Sequence, residues 1–104
     1  MATLRLRGEN PFKEATLSAY ADGKLLRQAR LRKKEKDQKF SLEVSVPPGR
    51  RKIRVQIKES GKGFDQTGSI EGQFALDQTR TLEVDFQRQL KLLGRRRFEL
   101  RWLD

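Results

Sequence analysis

The chain has 104 residues, no cysteine, no histidine, and a formal charge of +10 from 24 lysines and arginines against 14 acidic residues. The length suits one domain of ordinary size. The missing residue types exclude a disulfide framework, a zinc–thiolate site, and any Ser-His-Asp or Cys-His machinery.

Leu4 and Leu6 alternate with Thr3, Arg5 and Arg7, which predicts a first short strand. Ala15–Ala21 and Lys24–Leu31 flank Asp22-Gly23, a pair that supplies the positive φ angles of a tight hairpin. Tyr20 has the opposite parity to Leu17 and Ala19 and is the ring expected to face water. Lys33–Gln38 has no apolar residue and reads as an exposed loop. Phe40, Leu42, Val44 and Val46 then alternate with Ser41, Glu43 and Ser45 as a strand with one face in the core. Pro47-Pro48-Gly49 must be a corner, because proline fixes φ and lacks a donor. Ile53, Val55 and Ile57 alternate with Arg54, Gln56 and Lys58, and the strand ends at Ser60-Gly61-Lys62-Gly63.

Past the loop that holds Phe64, a strand through Ile70, Phe74 and Leu76 is expected to bend or bulge at Gly72. Leu82, Val84 and Phe86 form the next alternation, and Leu90 and Leu92 continue its parity. Phe98, Leu100 and Trp102 close the chain with their side chains on the apolar face. No segment sustains a helical apolar stripe. The prediction is a single all-β domain over 1–104: an antiparallel sandwich of seven to nine strands, immunoglobulin-like.

The charge has a layout. Lys24–Lys39 carries a net +6, Arg50–Lys62 a net +5 and Arg88–Arg101 a net +5, while Gly63–Gln87 carries −4. Basic blocks attract polyanions or an acidic protein. The candidate binding residues are Arg50, Arg51, Arg95, Arg96, Arg97, Lys33, Lys34 and Lys36. The acidic block favours a protein partner over nucleic acid, since a two-signed surface suits two-sided association.

Other chemistry fits the sequence less well. Glu83 and Asp85 flank Val84 on a solvent face rather than in a cleft, so paired-carboxylate catalysis has no support. Asp65, Gln66, Thr67 and Glu71 could supply oxygens to calcium, but a turn-forming Asp explains the pattern better. Gly61-Lys62-Gly63-Phe64 lacks the Gly-Lys-Ser/Thr ending and following helix of a phosphate loop. No cofactor or metal is implied. A carbohydrate platform would rest on Tyr20, Phe12 and Phe64, the rings without clear core parity.

The stretch from Ala15 to Phe86 resembles small bacterial accessory sandwiches of the immunoglobulin-like or PEGA-like kind. The resemblance rests on the Asp22-Gly23 turn, Val46-Pro47-Pro48-Gly49 leading into Lys52–Ile57, and the closing strands Gly72–Leu76 and Thr81–Phe86. It implies a non-catalytic module attached to a larger protein. The expected function is therefore protein association through basic blocks and unpaired edge strands, which also offer a route to oligomers. RNA binding by the same arginines and lysines is the alternative.

No apolar run approaches the ~20 residues of a membrane span, so membrane insertion is not expected. Met1-Ala2-Thr3-Leu4-Arg5 has no apolar leader stretch, which places the protein in the cytoplasm if the chain is complete.

Overall fold

The structure, a computed structural model, describes residues 1–32, 39–61, 65–87 and 97–104. The described residues form eight strands: β1 (Ala2–Glu9), β2 (Glu14–Ala21), β3 (Lys24–Arg32), β4 (Lys39–Val46), β5 (Gly49–Glu59), β6 (Asp65–Phe74), β7 (Thr79–Gln87) and β8 (Arg97–Trp102). They make two four-stranded sheets, β4-β1-β7-β8 (sheet I) and β3-β2-β5-β6 (sheet II). All pairs are antiparallel except β1–β7, which is parallel. No helix among the described residues is long and apolar enough to cross a membrane.

The all-β architecture follows from the alternation. Leu4 and Leu6, Leu17, Ile53, Val55 and Ile57, Leu82 and Val84 are all fully buried between the sheets. Each such side chain contributes ~1.5–3 kcal/mol relative to exposure. The strand order departs from the immunoglobulin-like expectation. Constant-type immunoglobulin sheets run ABED and CFG, whereas here β1 lies between β4 and β7, and β2 lies between β3 and β5.

Corners and turns behave as their residues dictate, with three corrections. Asp22 and Gly23 both take positive φ, 50° and 85°, and close the β2–β3 hairpin. Pro47 and Pro48 carry the chain from β4 in sheet I to β5 in sheet II. Phe12, expected among the rings off core parity, is instead buried at the β1–β2 crossover. Asn10 fixes it there: its side-chain amide donates to the Phe12 carbonyl at 2.9 Å, and the Phe12 N–H donates to Asn10 Oδ1 at 3.0 Å. The buried amide is thereby satisfied, and the ring meets Phe86 edge-on at 5.6 Å.

Gly72 carries no bulge, since the β5–β6 ladder runs unbroken through Arg51↔Gly72. A Cβ at Gly72 would collide with the Trp102 ring, and one at Gly68 would sit 3.0 Å from the Phe98 ring. Glycine serves here to let β8 close one side of the sandwich on β6. Leu76 lies outside the expected strand, 67% exposed in the β6–β7 turn. That turn is held by the Gln78 N–H on the Ala75 carbonyl and the Ala75 N–H on Gln78 Oε1.

Candidate interaction surface

Alternation puts polar side chains on the outer face of each sheet, and the registers say which of them are neighbours. On sheet II, Arg30, Thr16, Lys58 and Asp65 form one row across the four strands, and Gln28, Ser18, Gln56 and Thr67 the next. The following row is Leu25, Tyr20, Arg54 and Ser69, and beyond it Lys52 faces Glu71 and Arg50 faces Gln73. On sheet I, Glu43 faces Arg5, Arg7 faces Glu83, Glu83 faces Arg101, and Asp85 faces Glu99.

The carboxylates of sheet II's outer face are all engaged. Glu14 pairs with Arg30 at 3.1 Å, Glu71 with Arg50 at 2.6 Å, and Asp65 accepts the Gln56 amide at 2.8 Å. Asp22, at the hairpin, accepts the Lys52 backbone N–H at 3.0 Å and Arg51 Nη1 at 3.1 Å. The Lys52 N–H, then the Arg51 guanidinium, hold this carboxyl below the usual aspartate range. Arg32, Lys52 and Lys58, by contrast, make no side-chain hydrogen bond or ion pair among the described residues, and Arg54 is occupied only by stacking on Tyr20.

Sheet I is more evenly balanced. Arg5 chelates Glu43 from 2.8 and 3.1 Å, and Arg101 bonds both Glu83 and Asp85. Glu9 and Glu99 accept no hydrogen bond or ion pair among the described residues, and Arg7 donates none. Among the described residues, positive charge without an ion-pair partner thus collects on the outer face of sheet II, while sheet I is nearly balanced, with Lys39 opposite Glu9 and Glu99 within the field of Arg101. Exposed pairs of this kind contribute only ~0–1 kcal/mol each, so their arrangement informs about association more than stability.

The sequence-predicted arginines separate in the structure. Arg50 is the more available, with a side chain 76% exposed beside Glu71. Arg51 is committed to the corner: Nε and Nη2 donate to the Pro47 and Pro48 carbonyls at 3.2 and 2.7 Å while Nη1 holds Asp22. Lys33, Lys34, Lys36, Arg95 and Arg96 lie outside the described residues, as do Phe64 and Leu90–Leu93, and only the backbone of Arg97 is described. Tyr20 faces outward as its parity predicts, but the Arg54 guanidinium lies 4.3 Å from its ring centroid. That covers the ring face a sugar or base would need.

The four sheet edges each carry a guard. β3 is bulged at Leu26, where the register shifts between Ala19/Arg27 and Tyr20/Leu25. On β4, Arg27 reaches from the other sheet to the outward Glu43 carbonyl at 2.7 Å. On β6, Trp102 Nε1 donates to the Glu71 carbonyl at 2.9 Å and Arg80 Nη1 to the Gln73 carbonyl at 3.2 Å. β8 is short, with six residues. Such devices suppress strand addition. An open groove of about 310 Å³ runs along the β6–β8 side, lined by Arg50, Glu71, Gly72, Gln73, Arg80 and Trp102. Its polar groups are turned on one another, with Arg80 stacked 4.1 Å from the Trp102 ring and paired with Asp104 at 3.2 Å.

Fold and surface together define an all-β sandwich whose described positive excess lies on the outer face of sheet II. Comparison with protein-family models, curated proteins and solved structures finds no match to this chain.

Proposed function

We propose that this chain is a non-catalytic β-sandwich module that associates with an acidic protein, as an accessory domain or a small scaffold subunit. The carrying observation is the positive excess of sheet II's outer face, where Glu14 and Glu71 are ion-paired, Asp65 is bonded to the neutral Gln56 amide, and Arg32, Lys52, Arg54 and Lys58 have no ion-pair partner among the described residues. A net +10 adds long-range attraction for such a partner. The Pro-Gly corner and Asp22-Gly23 turn shared with immunoglobulin-like and PEGA-like accessory domains support the same reading. Guarded edges favour recognition through a face over the strand addition expected from the sequence.

Binding of a glutamate-rich peptide and of a uridine oligonucleotide, each titrated at low and at physiological salt, tests this. The peptide is expected to bind more tightly at both, with the oligonucleotide no better than the ~10⁻⁴ M of weak non-specific binding at physiological salt. Tighter binding of the oligonucleotide at physiological salt would replace the protein reading with RNA binding.

A further inference from the structure

The outer face of sheet II has a centre. Leu25 of β3, 48% exposed, lies directly opposite Tyr20 of β2, and Tyr20 lies opposite Arg54 of β5. With the guanidinium stacked on the tyrosine ring, the three side chains form one row, apolar at one end and cationic at the other.

Leu25 faces water because of the bulge. Leu31, Ala29 and Arg27 pair with Ala15, Leu17 and Ala19, residues buried on the inner face. Unbroken alternation would carry Leu25 inward as well. The extra residue at Leu26 reverses the parity, so Leu26 packs against the core and Leu25 turns out beside Tyr20. Bulges commonly re-aim a side chain in this way. An isolated exposed leucine is unremarkable on any surface, but tyrosine and arginine are the types enriched at the energetic centres of protein interfaces.

Positive charge without an ion-pair partner continues from that row along β5. Lys52 and Lys58 share the outer face with Arg54. Side chains two apart on a strand are about 6.8 Å apart, and the same spacing holds in any extended polypeptide. Carboxylates two residues apart on an extended partner therefore meet Lys52 and Arg54 in step.

The geometry points to a docking site on this face for an acidic, extended polypeptide segment, with one apolar side chain over Leu25 and Tyr20 and carboxylates over Lys52, Arg54 and Lys58. The site rests on the proposed acidic protein partner and adds where that partner sits and what it presents. Nucleic acid fits less well. The Tyr20 ring face is covered, and Leu25 has no phosphodiester counterpart. A second copy of the chain brings the same +10 and is repelled at long range.

The test uses a fluorescent synthetic peptide with glutamates at alternating positions and one central leucine, titrated into the full chain while amide chemical shifts are followed. Shifts confined to β2, β3 and β5 are expected, with roughly tenfold or greater loss of affinity in Leu25→Ala and in Arg54→Ala, the scale of hot-spot truncation. Arg7→Ala on sheet I should bind as the parent does. Both central residues face water, and an unchanged amide spectrum of each free variant shows that the fold is intact. Variants that bind like the parent, or a serine-for-leucine peptide that binds equally well, would overturn the site while leaving the acidic partner standing. Failure of every glutamate peptide to bind at low salt, or displacement of the peptide by a uridine oligonucleotide, would overturn both.

Discussion

Asp22 shows how one side chain serves three levels of the structure. It takes the first positive-φ position of the β2–β3 hairpin, its carboxylate receives the Lys52 N–H of β5, and it anchors Arg51 across the Pro-Pro-Gly corner. Its carboxyl is held below the usual range, chiefly by the Lys52 N–H and then by Arg51. A depressed native pKa stabilises the fold above the unfolded value of ~3.9, and that contribution is lost as pH falls through the native value. Asp22→Asn keeps a residue that tolerates the turn and one oxygen for the Lys52 N–H, and removes the charge together with the oxygen that accepts Arg51 Nη1. The variant is expected to unfold at lower denaturant than the parent near neutral pH, with the gap closing below about pH 4. A gap that stays constant across that range would show that the charge is not what Asp22 supplies. Arg51 makes the complementary point. The sequence marks it as surface charge, but its bonds to the Pro47 and Pro48 carbonyls depend on how the corner folds.

At the scale of elements, alternation made most strands legible. Phe40–Val46, Ile53–Ile57 and Leu82–Phe86 read as half-buried strands because side-chain direction has a period of two in any sheet. What stayed hidden depends on residues far apart in the chain. The Leu26 bulge is set by pairing with β2, Gly72 by the Trp102 ring, and the parallel β1–β7 pair by how both sheets close. The outward turn of Leu25 is missed for the same reason, while Tyr20 is found because β2 itself is regular.

Edges carry their own prediction. Arg27 has inward parity on an edge strand and places its guanidinium on the outward Glu43 carbonyl of β4. β4 is otherwise unbroken through its whole eight-residue register with β1. Arg27→Ala should therefore unblock the β4 edge and raise self-association, seen as a concentration-dependent increase in sedimentation coefficient. A variant that stays as monodisperse as the parent would show that Arg27 is not the guard.

For the whole molecule, the meaning of +10 lies in where it is left uncompensated. Of the ten net charges, six fall on 33–38, 62–64 and 88–96, so the described residues contribute a modest excess. Within that excess, the outer face of sheet II keeps Arg32, Lys52, Arg54 and Lys58, while sheet I sets Glu9 and Glu99 against Arg7 and Lys39. Position and net charge can be separated directly. Lys52→Glu with Lys58→Glu changes the net charge by the same amount as Arg7→Glu with Lys13→Glu, but only the first pair alters the outer face of sheet II. The decisive measurement is the affinity of both double variants for the glutamate–leucine peptide at physiological salt. The sheet II pair should lose at least tenfold while the other pair stays within about twofold of the parent, given the ~8 Å screening length at that salt. Equal losses in the two variants would mean that net charge alone draws the peptide, and would contradict a docking face on sheet II.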